Sequence, residues 1–140
     1  MSGGNRIVRA AIPLVFLMGG ARAVEAQKTH EVKLEGDREK EVYRFVPSSL
    51  TASPSDVIVF KVSTGAPHSI VFDDDKFPAP VKNALSSALG SKSDAPASPL
   101  LTKNGSEYRF VLPKLPPGTY RFFCLPHRAY DMRGEIIVGK

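Results

Sequence analysis

The sequence predicts an all-β domain, an antiparallel β-sandwich or barrel with one short helix. First, β-branched and aromatic residues alternate with polar ones in several short segments, and turn residues separate those segments. Second, a chain of 140 residues, 42% of them hydrophobic, suits one compact domain with a modest core. Many short strands with turn chemistry between them are typical of such a sandwich or barrel.

Seven segments have the composition of strands. In chain order they are 30–34, 41–46, 56–63, 69–72, 107–112, 119–124 and 135–138. Turn signals between them include Gly36-Asp37, the run 47–49 and Asn104-Gly105. In the third segment, Ile58, Phe60 and Val62 share one face, so we expect these three side chains in the core.

The stretch 78–102 differs from the rest because it is rich in Ala, Ser and Pro. Val81, Leu85 and Leu89 recur at helical spacing before Gly90, which predicts one short helix followed by a flexible loop through 91–99. We interpret the whole stretch as a crossover connection on the surface.

Residues 1–26 have the pattern of a secretory signal peptide. Arg6 and Arg9 precede an apolar run over 10–18, and small residues with Ala-x-Ala-like ends follow at 21–26. A membrane anchor is disfavoured, because the run is short for a spanning helix and Pro13 interrupts it. We expect cleavage after Ala23 or Ala26, leaving residues 27–140 as one exported domain, periplasmic or extracellular.

Removal of residues 1–26 takes away three arginines and one glutamate, so the formal charge falls from +5 to +3. The mature chain is then mildly basic but not polycationic. We expect no nucleic-acid partner and no membrane span in the mature chain.

The single cysteine is informative in an exported domain. Cys124 has no second cysteine with which to form an internal disulfide, so it is either protected by a metal or buried and inert. Met132 is the only methionine outside the signal segment, and His127 lies between the two sulfur residues. His30, near the mature N-terminus, has no partner pattern and is expected to be exposed.

The spacing Cys124-x-x-His127-x-x-x-x-Met132 falls on a loop between two predicted strands, and His68 begins another strand upstream. Two imidazoles, one thiolate and one thioether are the ligand set of a mononuclear electron-transfer copper site. We therefore predict one copper ion, cycling between Cu(II) and Cu(I), on His68, Cys124, His127 and Met132. Because His68 comes from a separate strand, we expect the site to form only when the two layers of the sandwich pack together.

Side chains around these four residues are expected to shield and tune the site. Tyr120, Phe122, Phe72 and Phe45 would exclude water from it. Ser69 is expected to donate a hydrogen bond to the Cys124 sulfur, from its backbone or its hydroxyl.

Two stretches resemble the cupredoxins, the small type 1 blue copper proteins, and look most like plastocyanin and its bacterial relatives. They are Pro67–Asp75 and Tyr120–His127, the second continued by Met132, Gly134 and Ile136. The resemblance implies an eight-stranded Greek-key sandwich. It also implies that His68, Cys124 and His127 are equatorial copper ligands and that Met132 is the long axial one.

The sequence departs from the plastocyanin pattern in ways that concern partners. Ser69 stands where plastocyanins usually have Asn, and Phe123 stands where they have the Tyr of a remote electron-entry site. The run 73–75 matches part of an acidic docking patch, but Arg128 and Arg133 flank the ligand loop. A photosynthetic role is therefore not implied.

The function predicted from these features is that of an exported, soluble one-electron carrier, a monomer without enzyme activity that docks transiently with redox proteins. His127 would be the exit for electrons, within an apolar patch formed by Leu125, Pro126 and Ala66. Two alternatives remain open: a copper-handling protein for delivery or buffering, and a metal-free β-sandwich interaction module. The sequence has no further His cluster for the additional copper sites of an oxidase or a nitrite-reducing enzyme.

Overall fold

The computed structural model describes Gly20 and residues 25–140. Nearly all of the signal segment, and with it the prediction of export, lies outside the described residues. The elements, in chain order, are β1 (Thr29–Asp37), β2 (Val42–Val46), β3 (Ser49–Ala52), β4 (Val57–Val62), β5 (Val71–Phe72), α1 (Ala79–Leu89), β6 (Glu107–Val111), β7 (Gly118–Phe123), a 3₁₀ turn (Arg128–Tyr130) and β8 (Arg133–Val138). In the described part of the chain, no helix combines the length and apolar character needed to cross a bilayer.

The strands form two four-stranded sheets with the orders β2-β1-β4-β6 and β3-β8-β7-β5, so the predicted sandwich is confirmed. Each sheet is mixed, because β1 runs parallel to β4 and β3 runs parallel to β8, whereas the other pairs are antiparallel. Alternation of polar and apolar residues indicates which face of a strand is buried but not the direction of its neighbour.

All seven predicted strands are present with shifted ends, and the structure adds β3. The sequence analysis assigns residues 47–49 to a turn and predicts no strand between that turn and residue 56. In β3, Leu50 and Ala52 are buried while Ser49 and Thr51 are exposed. This alternation covers only four residues, of which three are small or polar, so its strand signal is too weak to recognise from the sequence.

Aromatic side chains from both sheets meet in the centre of the sandwich. Phe60 of β4 lies edge-on to Phe122 of β7, with ring centroids 5.6 Å apart, and Phe45 of β2 lies edge-on to Phe122 at 4.9 Å. Edge-to-face pairs are favourable arrangements of aromatic rings. Ile58, Phe60 and Val62 are buried, as predicted.

The helix α1 agrees with the sequence prediction, but its role does not. Val81, Leu85 and Leu89 are buried and belong to the main hydrophobic core. Gly90 ends the helix with φ of 62°, in the left-handed region that glycine adopts without strain. The interpretation of this stretch as merely a surface connection was therefore wrong, because one face of the helix closes the core.

His30 is only partly exposed, with 22% of its side-chain surface accessible, contrary to the prediction of an exposed residue. Its Nε2 lies 2.8 Å from Oδ2 of Asp56, a residue that is only 4% exposed. The Asp56 carboxylate also accepts hydrogen bonds from the N–H groups of Lys28 and Ser53. Burial by itself raises the pKa of Asp56, but these three donors outweigh it and lower the pKa to about 2. Asp56 thus fastens the start of β1 to the start of β4.

Replacement of Asp56 by Asn should lower the free energy of unfolding at pH 7 by roughly 2 kcal/mol, because a buried carboxylate loses its charge-assisted hydrogen bonds. A carboxyl group with a lowered folded-state pKa stabilises the fold above its ordinary value of 3.8, and this contribution is lost as the pH falls towards about 2. Denaturant titrations of the wild type and of Asp56→Asn across that window should therefore converge. Asp94→Asn, at an exposed aspartate, serves as the control, and an equal effect of both variants would contradict this role.

Candidate metal centre

The pairing of β5 with β7 brings His68 next to Cys124. In this antiparallel pair Val71 lies opposite Phe123, so the residues just before β5 and just after β7 come to the same edge of the sheet. His68 and Cys124 thus flank neighbouring strands of the same sheet, so packing of the two layers is not what brings these candidate ligands together, contrary to the expectation. The hydrophobic pattern could not have shown which strands are neighbours.

Three predicted ligands converge at this edge. The Sγ atom of Cys124 lies 3.5 Å from Nδ1 of His127 and 3.7 Å from Nδ1 of His68, and the three donor atoms are all within 4.8 Å of one another. His68 and Cys124 are fully buried, and His127 is 8% exposed. Three buried donors of these types around one point form a site with room for one small ion.

The other layer of the sandwich orients the ring of His68. The Nε2 atom of His68 lies 2.7 Å from the carbonyl oxygen of Thr64, just beyond the end of β4. Donation from Nε2–H to this carbonyl fixes the tautomer and leaves the Nδ1 lone pair directed at the sulfur. Gly65 follows with φ of 71°, and a Cβ there would lie 2.5 Å from the backbone of Gly36, so the turn requires glycine.

The ring of His127 is held by an aromatic residue that the sequence analysis did not identify. Tyr43 of β2 stacks on this ring with a centroid distance of 3.8 Å and an interplanar angle of 13°. Tyr130 packs against Tyr43, with the two ring centroids 4.8 Å apart. The alternation of Tyr43 with the core residue Phe45 was a signal that both side chains lie on the inner face of β2.

Backbone hydrogen bonds close the loop from Cys124 to Met132. The N–H of Cys124 donates to the carbonyl of Met132 at 3.0 Å, and the N–H of His127 donates to the carbonyl of Cys124 at 3.3 Å. Asp131 adopts a left-handed conformation with φ of 56°, which turns the chain back towards the site. Met132 is fully buried, and its N–H donates to the carbonyl of His127 at 3.4 Å.

Gly134 is needed for space and not for the turn into the last strand. It lies within β8 with an ordinary φ, opposite Phe122 of β7. A Cβ at this position would lie 2.5 Å from the Phe122 ring. The absence of a side chain at Gly134 thus lets the central core ring lie flat against the strand that follows the ligand loop.

Ser69 contacts the site through its backbone. Its N–H points at the Cys124 sulfur with an N–S distance of 3.5 Å. Its hydroxyl Oγ accepts a hydrogen bond of 3.1 Å from the N–H of Leu125. The predicted bond to sulfur is therefore present for the backbone, and the hydroxyl fixes the residue after the cysteine.

Burial sets the protonation of the three donors. It raises the pKa of the Cys124 thiol, although the N–H groups of Ser69 and His127 partly oppose the shift. Burial also lowers the pKa values of His68 and His127. Neutral imidazoles are ready to bind a cation, and a bound cation would displace the thiol proton. Soft thiolate with imidazole is a donor set that suits copper, so these residues fit the predicted ion.

The surface around the site has one apolar part and one charged part. Leu125, two residues before His127, is 60% exposed, and Tyr130, whose ring centroid lies 6.4 Å from that of His127, is 45% exposed. Phe123 is only 6% exposed, and the guanidinium of Arg128 lies 4.5 Å above its ring. In the acidic run 73–75, Asp74 lies 2.6 Å from the ammonium group of Lys82. Phe123 is therefore covered by Arg128, and the charge of the acidic run 73–75 is partly neutralised by Lys82.

The two-sheet sandwich and its His-Cys-His cluster define a cupredoxin. The family model of copper-binding proteins of the plastocyanin/azurin family matches residues 30–139. Plastocyanin from Rumex obtusifolius is 39% identical over 77% of this chain and 98% of its own length. Chloroplastic plastocyanin from Pisum sativum is 42% identical over 68% of this chain, a match that spans about half (51%) of the pea protein.

Among solved structures, oxidised plastocyanin from Dryopteris crassirhizoma superposes with a TM-score of 0.60 and 26% identity, covering 78% of this chain and 99% of the fern protein. The chain belongs to the plastocyanin/azurin family of copper-binding proteins. The predicted resemblance to plastocyanin is thus confirmed.

Replacement of Tyr43 by Leu should loosen the ring of His127, because the stack is lost. Aromatic pairs stabilise a fold by about 1 kcal/mol beyond the area they bury, so unfolding of the metal-free protein should become about 1–2 kcal/mol easier. Tyr43→Phe keeps the stack and serves as the matched control. NMR relaxation of the His127 ring carbons should show added motion in the Leu variant alone; equal motion in both variants would rule out a role for stacking.

Proposed function

We propose that this protein is an exported one-electron carrier that holds one copper ion on His68, Cys124, His127 and Met132. The observation that carries the proposal is the convergence of two imidazole nitrogens and one sulfur, all buried, within 4.8 Å of one another. Family membership supports the same function. A bound copper ion would take up one electron as Cu(II) and release it as Cu(I).

The residues around the donors hold them in place before an ion binds. Thr64 fixes the ring of His68, Tyr43 fixes that of His127, and Ser69 directs its N–H at the sulfur. Electron transfer is fast when few atoms move, and buried, hydrogen-bonded donors can move little. The surrounding aromatic side chains exclude water, which would otherwise reorganise with each change of charge.

Met132 is proposed as the fourth, weak ligand. Its side chain is fully buried, and its backbone is bonded to both Cys124 and His127. A buried thioether beside a thiolate and two imidazoles completes the donor set of a blue-copper site, in which the axial ligand tunes the potential.

Electrons are proposed to enter and leave through His127, the only candidate ligand with measurable exposure. Leu125, Pro126 and Ala66 provide a small apolar surface around it, and Leu125 is 60% exposed. Small apolar contacts suit the brief docking of redox proteins. Phe123 is an unsuitable second entry, because Arg128 covers its ring. The carrier is proposed to act as a monomer without substrate chemistry of its own.

Enclosure of the donors favours electron transfer over copper delivery. Cys124 and His68 are fully buried, so a partner's ligands could not reach the ion without opening the site. A carrier is expected to exchange electrons much faster than it releases Cu(I), whereas a delivery protein would show the reverse order. Comparison of the Cu(I) release rate with the electron self-exchange rate separates these functions.

Export rests on the proposed signal peptide at residues 1–26. The first strand begins at Thr29 and the family match begins at residue 30, so removal of this segment would leave the described fold intact. Mass spectrometry of the secreted protein should give an N-terminus after Ala23 or Ala26. Recovery of an uncleaved chain would contradict the proposal.

Addition of Cu(II) to the purified residues 27–140 should produce an intense visible band with a stoichiometry of one ion per chain, because thiolate-to-copper charge transfer is strong. Cys124→Ser should abolish the band, and Met132→Leu should keep it while changing the reduction potential. Optical and paramagnetic-resonance titrations measure both effects. A wild-type protein that stays colourless would support the metal-free interaction module instead.

Replacement of Leu125 by Glu should slow electron self-exchange roughly tenfold at low salt, because it places a carboxylate in each of the two facing patches. The copper spectrum should stay unchanged. The control Val111→Glu alters an apolar residue that is 50% exposed. Val111 pairs with Val57 at the start of β4, away from the candidate site, so this variant should exchange electrons at a rate near that of the wild type. Equal rates for both variants would remove the patch from the mechanism.

A further inference from the structure

The segment Pro96–Leu101, called the outer segment here, lies along the outer side of residues 68–72, the stretch that leads from His68 into β5. The N–H of His68 donates to the carbonyl of Leu101 at 3.0 Å, and the N–H of Leu101 donates back to the carbonyl of His68 at 2.8 Å. At the other end, the N–H of Phe72 donates to the carbonyl of Pro96 at 2.9 Å. Residues 96–101 are therefore held by pairing, and the prediction of a flexible loop over 91–99 is wrong for residues 96–99.

Between these two ends, a side chain takes the place of a backbone acceptor. The N–H of Ile70 donates to Oγ of Ser98 at 2.9 Å, while the N–H of Ser98 donates to the carbonyl of Ile70 at 2.8 Å. The Ser98 hydroxyl in turn donates to the carbonyl of Pro99 at 2.9 Å, so its orientation is fixed. Ile70 is fully buried, so its N–H has no access to bulk water.

The direction of these bonds determines where the next N–H points. Successive N–H groups of an extended chain point to opposite sides. His68 and Ile70 direct theirs at the outer segment, and Ser69, between them, directs its N–H inward at the Cys124 sulfur. The distance of 3.5 Å from N to Sγ depends on the peptide planes on either side of Ser69.

We propose that Ser98 is a positioning residue of the metal centre, whose hydroxyl holds the Ile70 amide and thereby keeps the Ser69 N–H on the Cys124 sulfur. This inference rests on the proposed copper function. A hydrogen bond to the thiolate withdraws electron density from it and so favours reduced copper. Loss of the Ser98 hydroxyl therefore lowers the reduction potential, although Ser98 touches none of the candidate ligands.

The test compares Ser98→Thr with Ser98→Val. Thr and Val have the same shape, but Thr keeps the hydroxyl and Val has a methyl group in its place. Ser98→Thr should retain the wild-type potential. Ser98→Val should shift the equilibrium towards Cu(II) by about two- to fivefold, the size expected for weakening one hydrogen bond. The control Ser93→Ala removes a hydroxyl from the same loop. This hydroxyl bonds only to Ser91 and Ala95, so its removal should leave the reduction potential unchanged.

Amide hydrogen exchange of the metal-free protein gives a second readout. In Ser98→Val, exchange of the Ile70 and Ser69 amides should accelerate at least roughly tenfold relative to Ser98→Thr, with the core amides of β4 unchanged. Should Ser98→Val fail to fold, the milder Ser98→Ala and Ser98→Gly variants give the same two measurements.

These measurements distinguish failure of the proposed copper function from failure of the proposed role of Ser98. A wild-type protein without a copper charge-transfer band would refute the proposed function. A normal wild-type band with equal potentials in the Thr and Val variants would overturn the role of Ser98 alone, even if Ile70 exchanged faster, because the hydroxyl would then be purely structural.

Discussion

The candidate metal centre depends on the antiparallel pairing of β5 with β7. This pairing sets His68, which precedes β5, beside Cys124, which follows β7, and their donor atoms lie 3.7 Å apart. The hydrogen-bonded loop after β7 then brings His127 to the same point. One sheet edge thus supplies three donors, and a slip of one residue in this register would turn the Cys124 side chain to the other face.

The second sheet contributes support in place of donors. Thr64 follows β4 and holds the far nitrogen of His68, and Tyr43 on β2 covers the ring of His127. The two sheets are joined by a core in which Phe60 and Phe122 pack edge to face. Packing of the layers therefore orients the imidazoles, although it does not bring the donors together. One sheet thus supplies the donors, and the core between the sheets fixes the position of the second sheet, whose contacts hold the two imidazole rings in a single orientation.

Much of the fold, and the convergence of three residues at the candidate site, could be predicted from the sequence. Alternation located seven strands, helical spacing located α1, and the spacing of Cys124, His127 and Met132 indicated copper before any contact was known. Strand order and direction were not accessible, because they depend on pairing between distant segments. Contacts by single side chains, such as Asp56 with His30, were also missed, since no local pattern encodes a partner 26 residues away.

We propose that the donors of the candidate site are already in place before an ion binds. Crystal structures of the protein in the metal-free, Cu(II) and Cu(I) states would test this preorganisation. We expect the Nδ1 atoms of His68 and His127 and the Sγ atom of Cys124 to differ by less than about 0.5 Å among the three states, the precision that a preorganised site requires. A metal-free structure in which His127 swings away from Tyr43, or in which the sulfur turns out of the cluster, would contradict it.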